Sequence, residues 1–319
     1  MPLATPLTER LGISEPIICA PMGAVTGGAL AGAVTRAGGL GLLGPGYAGP
    51  EWIDRELERA GDSAVGIGFI TWYMAQHPEQ LAAALAHRPA AVMLSFGDAA
   101  PHVEAIGKAG ARLLMQVQTV AEARRAAELG ADVIVAQGAD GGGHGRSRGT
   151  LGLVPAVVDA VAPVPVAAAG GITDGRGLAA ALALGADGAL VGTRFYASDE
   201  ALGVAAAKEA LVRGGGDETV RTRVFDIVRG YDWARPYTGR ALANAFVRRW
   251  HGHEGELEAA LGEEAQRYRA AQEGGDTDTA VVWASEGIDL IDRVEPAARM
   301  VERLSADARQ CLGALAVRL

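Results

Sequence analysis

Hydrophobic positions along this chain come in short, dense runs rather than in alternation. Eight runs, at 16–20, 39–43, 64–70, 91–95, 112–117, 133–136, 164–168 and 188–191, follow one another roughly 20–30 residues apart, the size of a strand-plus-helix unit. Strands that are apolar throughout belong to parallel sheets covered on both faces. Between them the pattern predicts helices over 79–87, 121–129 and 177–184. The phrase Leu-Gly-Ala-Asp recurs at 129–132 and 184–187, and reads as a helix-ending glycine that leads directly into the next strand. Eight repeats predict an α/β fold, a (β/α)8 TIM barrel. An open doubly wound sheet is the alternative, and it needs fewer strands.

The pattern changes after position 211. Residues 213–278 are richer in aromatic and charged side chains and contain no valine-rich run. They read as a small helical insert, a lid, leaving the barrel to residues 1–212 and 279–319. A final helix over 296–315 is expected to pack on the barrel exterior. The stretch 149–173 is almost uncharged and long enough to span a bilayer, but Asp159, Pro155, Pro163 and Pro165 interrupt it. A helix joined to a buried strand is expected there instead of a membrane span.

Composition narrows the function classes. A chain of 319 residues that is 49% hydrophobic can bury a large core. Its net charge of −9 argues against nucleic acid as a partner, since phosphate binding needs a basic face. Two cysteines, Cys19 and Cys311, make neither a disulfide framework nor a zinc site. The first sixteen residues hold no secretory apolar core. A cytoplasmic location is the expectation.

The 45 glycines are not spread evenly. The series Gly39, Gly41, Gly44 matches a dinucleotide fingerprint, but it lies inside a strand and opens no helix, so close packing explains it. Two turns at the ends of the seventh and eighth strands, Gly170-Gly171 and Gly192-Thr193, stand where this barrel usually binds phosphate through backbone N–H groups. Ala20-Pro21-Met22-Gly23 ends strand one with a rigid bend. The run Gln137-Gly-Ala-Asp-Gly-Gly-Gly-His144 follows the sixth strand on the same rim. Its glycines leave room for a ring system, and His144 projects over the gap with Asp140 as its one evident carboxylate partner. His251 and His253 lack a third ligand, so no metal is expected. Trp72 and Tyr73 either line a pocket or pack against the insert.

Taken together, PIICAPMG, AGGLG, AQGADGGGHG, AAAGGI, VGTRF, RPYTGRALANAFVRRW and VVWASEGIDLIDRVEPA resemble the nitronate monooxygenase (2-nitropropane dioxygenase) family along nearly the whole chain. The family's Q-G-x-E-A-G-G-H pattern reads QGADGGGH here, with Asp140 for glutamate and Gly141 for alanine. The resemblance implies FMN as cofactor. Ala20, Pro21, Met22 and Gly23 would back its ring, and Gln116 would approach from strand five. Gln137, Gly142 and Gly143 would hold the ring side, and Gly170, Gly171, Val191, Gly192 and Thr193 the phosphate. His144 would be catalytic. Gly68 stands where many relatives carry asparagine. The implied reaction is oxidation of alkyl nitronates, or nitroalkanes, by O2 to a carbonyl compound and nitrite. One alternative is an FMN-dependent NAD(P)H:quinone or enoyl-thioester reductase. The other is a flavin-free phosphate-binding barrel, an aldolase or isomerase; the residues it needs are not evident, since Lys108 and Lys208 both fall in predicted helices.

Overall fold

The computed structural model describes residues 3–317. Eight strands close into a parallel barrel: β1 (Ile17–Cys19), β2 (Leu40–Leu43), β3 (Gly66–Ile70), β4 (Ala91–Ser95), β5 (Arg112–Val117), β6 (Val133–Gln137), β8 (Val166–Ala169) and β9 (Gly188–Val191). β9 returns to β1, with Ile18 beside Leu190. All eight apolar runs are strands, and the architecture is the (β/α)8 barrel. β7 (Gly143–Gly145) lies in the loop after β6 and belongs to a second sheet.

The apolar runs are continuous because both faces of each strand are buried. Ile18, Leu40, Leu42, Met93, Leu114, Val133 and Val135 fill the barrel interior. Their neighbours Ile17, Cys19, Leu43, Val92, Leu94 and Ile134 face the helices. The helix Pro6–Leu11 closes the N-terminal end, where Leu7 joins the interior cluster. At the same end the repeated Gly-Ala-Asp clamps strands: Asp132 accepts from the Leu113 N–H at 2.9 Å and Asp187 from the Val166 N–H at 3.0 Å. The last helix, Ala297–Ala316, packs outside the barrel on the helix Gly175–Ala183.

The glycines at 39–44 serve close packing. A Cβ on Gly41 would lie 2.0 Å from the Ala31 carbonyl oxygen, on the helix Gly28–Arg36 that covers β1 and β2. No described helix is long and apolar enough to cross a membrane. The stretch 149–173 is the helix Thr150–Val161 followed by β8.

The insert is not purely helical. β10 (Thr219–Thr222) and β11 (Thr238–Leu242) form an antiparallel pair, and β7 adds to β11 with His144 opposite Gly239. Helices Val224–Arg229, Ala245–Trp250, Glu254–Ala259 and Leu261–Gly274 accompany them. They enclose a separate small core of Phe225, Phe246, Trp250, Leu257 and Tyr268. β10 and β11 escape a reading by hydrophobic runs because arginines and threonines alternate with their few apolar residues.

Gly41→Ala should destabilise the fold by about 3 kcal/mol or more, because the clash is with backbone that cannot turn aside. Gly107→Ala lies in the helix Val103–Lys108 with open space around it and should stabilise by about 0.5–1 kcal/mol. Urea unfolding followed by circular dichroism measures both, and equal midpoints would contradict this packing.

Candidate active site

A cavity of about 410 Å³ opens at the C-terminal ends of the barrel strands, under the insert. That is the size of a typical small-ligand pocket. Ala20, Pro21, Met22 and Gly23 line it after β1, Gly68 in β3, Gln116 in β5 and Gln137 at the end of β6. Gly142, Gly143 and His144 come from the glycine run, and Gly170, Gly171, Gly192 and Thr193 from the turns after β8 and β9. Val191 does not line it. Its side chain is buried between barrel and helices, and its carbonyl accepts from the Ala20 N–H at 2.9 Å.

The two turns form a cradle. Gly170 and Gly171 have φ of +109° and +71°, which glycine alone adopts without strain. The N–H groups of Gly171, Gly192 and Thr193 donate to no other described residue. The Thr193 hydroxyl oxygen accepts from the Ser285 N–H at 3.1 Å, which leaves its proton to donate. Gly68 meets the bend after β1: a Cβ there would lie 2.3 Å from the Pro21 ring. A side chain at position 68 has no space while Pro21 stands where it does.

The glycine run serves the protein as well as the cavity. A Cβ on Gly142 would press within 3.0 Å of the backbone at Ala284 and Ser285, and one on Gly138 against Thr150. Arg221 and Arg240 both donate to the Ala139 carbonyl, fixing the run to β10 and β11. Burial lowers the pKa of Arg221 to about 10, helped by the charge of Arg240.

Three glutamines set the floor beside it. The Gln137 carbonyl oxygen accepts from Gln116 at 2.8 Å and Gln118 at 2.9 Å, and its amide donates to the His144 carbonyl at 3.1 Å. The His144 strand is thereby tied to β5 and β6.

His144 is held from the insert. Its Nε2 donates to Asp226, with oxygens at 2.9 and 3.0 Å. Asp226 lies on the helix Val224–Arg229 and is 1% exposed. A carboxylate only accepts, so Nε2 carries the hydrogen and Nδ1 is left with a lone pair in the neutral ring. The Trp233 indole stacks on the imidazole, centroids 3.6 Å apart at 4°. Its Nε1–H donates to the Tyr47 hydroxyl at 2.8 Å. Burial pushes the pKa of His144 below its ordinary value, against the raising influence of Asp226.

Asp140 is therefore not the partner of His144. It accepts from the Thr150 N–H at 2.7 Å, at the start of the helix Thr150–Val161. Burial raises its pKa, but the bonds from Thr150 outweigh this and the net shift is downward. Asp226, Trp233 and Gln118 were not evident from sequence. The available signal was an acidic residue inside the apolar stretch Val-Phe-Asp-Ile-Val at 224–228, since a buried carboxylate needs a partner. Trp72 and Tyr73 pack against Trp233 and Tyr47, outside the cavity lining.

The family model for nitronate monooxygenase matches residues 4–65 and 68–307. The chain belongs to the nitronate monooxygenase family. The family's npaC enzyme from Metarhizium robertsii is 37% identical over 345 residues, covering 95% of this chain and 93% of its own. Among solved structures, FabK from Thermotoga maritima has a TM-score of 0.88 at 28% identity and covers 99% of both chains. The nitroalkane oxidase from Streptomyces ansochromogenes has a TM-score of 0.83 at 29% identity, covering 98% of this chain and 100% of its own. Like other nitronate monooxygenase family members, the protein is a flavin-dependent oxidoreductase. The site fits a flavin: unbonded N–H groups and the Thr193 hydroxyl suit a phosphate, and the bend at Ala20–Gly23 with the Gln116 amide suits a flat polar ring.

His144 should titrate below its ordinary value near 6.5. A lowered folded pKa means that the site's contribution to stability is complete above the unfolded value and is lost as the pH falls from there through the folded value. Histidine-selective NMR should show the Nε2–H tautomer at neutral pH. His144→Gln should flatten the loss of stability that sets in as the pH falls below 6.5. A titration midpoint above 6.5 would overturn the assignment.

Proposed function

We propose that this protein is an FMN-dependent enzyme that oxidises alkyl nitronates with O2 to a carbonyl compound and nitrite. The observation that carries the reading is a neutral, oriented imidazole over a cavity that also holds a phosphate cradle. The cradle suits one phosphate, and hence FMN. The backbone N–H groups of Gly171, Gly192 and Thr193 would hold it, with Gln116 and the bend at Ala20–Gly23 against the ring. Bound there, FMN supplies the capacity to accept electrons and pass them to O2.

The chain's own residues set the proton chemistry. With Nε2–H committed to Asp226, Nδ1 of His144 is the acceptor for the α-proton of a neutral nitroalkane. The imidazolium formed on taking that proton is stabilised by the same carboxylate. A nitronate has already lost the proton and does not need this base. The lowered pKa favours this role over a permanently cationic imidazole that grips the nitro oxygens. Trp233 covers one face of the ring and keeps water from it.

The flavin-free reading lacks groups to act: no lysine, aspartate or glutamate lines the cavity. Lys108 and Lys208 lie on the helices Val103–Lys108 and Ala205–Arg213.

Anaerobic stopped-flow mixing with propyl-2-nitronate should bleach the flavin absorbance faster than mixing with NADH. Fast bleaching by NADH with none by nitronate would favour the NAD(P)H-dependent reductase. His144→Ala should slow nitroalkane turnover about 10²–10⁴-fold and nitronate turnover far less. Asp226→Asn should follow the same pattern, since an amide no longer dictates the tautomer. Equal losses on both substrates would remove the base from the mechanism.

A further inference from the structure

The cavity presents almost no charge. Among its lining residues the ionic groups are His144 and Arg229, and burial keeps His144 neutral. The Arg229 side chain forms no hydrogen bond and no ion pair with any described residue. Its guanidinium instead lies over the rings of Tyr231 at 4.7 Å and Tyr47 at 5.7 Å. Those rings stack on each other at 3.6 Å, one from the insert and one from the loop after β2.

Arg229 ends the helix Val224–Arg229, three residues after Asp226. That spacing puts both side chains on one helix face, beside His144. Asp226 turns its carboxylate to His144 Nε2 and makes no hydrogen bond or ion pair with Arg229. The other arginines nearby are committed. Arg221 and Arg240 hold the Ala139 carbonyl, and Arg146 pairs with Glu122 at 2.9 Å. Arg229 is a cation left free at the wall of a cavity without acids. It lies on the insert side, whereas the phosphate cradle belongs to the barrel turns after β8 and β9.

We propose that Arg229 is the substrate-binding residue that recognises the negative charge of the nitronate. This rests on the function proposed above. A nitronate spreads its charge over two oxygens in the plane of the reacting carbon, and the planar guanidinium fork matches a two-oxygen anion better than any point charge. The tyrosine pair keeps the guanidinium flat without spending its donors. A nitroalkane is neutral on entry and acquires this charge only as its proton leaves. Arg229 thus acts on nitronate binding and on the transition state of nitroalkane deprotonation.

The test uses the flavin-loaded enzyme with Arg229→Met and Arg229→Lys. In the Met variant the KM for propyl-2-nitronate should rise about 10–100-fold, in the range of a lost charged hydrogen bond. With 2-nitropropane the loss should fall mainly on kcat. The Lys variant, which keeps the charge without the fork, should recover part of the nitronate KM. A second readout is independent of turnover: nitrite, a two-oxygen anion, should bind about tenfold more weakly to the Met variant when titrated by tryptophan fluorescence. Thermal unfolding and flavin content report whether the variant is folded and loaded. An unchanged nitronate KM and nitrite affinity in a folded, loaded Met variant would overturn the proposal, as would equal KM increases for 2-nitropropane and its nitronate. If the wild-type enzyme consumes no nitronate, the proposed function fails, and nitrite binding still decides whether Arg229 holds a two-oxygen anion.

Discussion

The bond between His144 and Asp226 joins two parts of the protein that fold around different cores. His144 follows a barrel strand, whereas Asp226 belongs to the insert's helix Val224–Arg229. The barrel alone supplies glycine turns and a bend, enough to hold a phosphate and a flat ring. The imidazole is oriented only when the insert is docked, because its hydrogen-bond partner Asp226, its stacking partner Trp233 and its sheet partner Gly239 all come from there. The glycine turns and the groups that orient the imidazole are thus divided between barrel and insert, and the glycine run is the seam.

That division explains what the sequence reveals. The eight barrel strands are legible because each is buried on both faces and so reads as an unbroken apolar run. The two glycine turns at the cavity rim are legible because the barrel fixes which strand ends face a ligand cavity. β7 is not, since Gly-His-Gly has no strand signature and pairs only because β11 is there. Asp226 is not legible either. It lies 82 residues from His144, and no local pattern joins them, so the nearer Asp140 stood as the partner in the sequence. Val191 illustrates the limit of alternation: its position next to the turn is right, but its side chain belongs to the outer face of β9.

The electrostatics follow the same logic. The arginines of β10 and β11 are spent on a backbone carbonyl, an arrangement that locks the seam but puts no charge in the cavity. Acids are kept out of the lining altogether. The result is an aromatic-walled chamber in which an imidazole and one cation are the ionic chemistry available to a ligand.

Pro21 and Gly68 compete for one volume, the ring of one filling the place of any side chain on the other. For descent, the two positions therefore behave as a single character. A lineage that gains a side chain at 68 must first give up the ring at 21, and the reverse step is barred until position 68 is bare again.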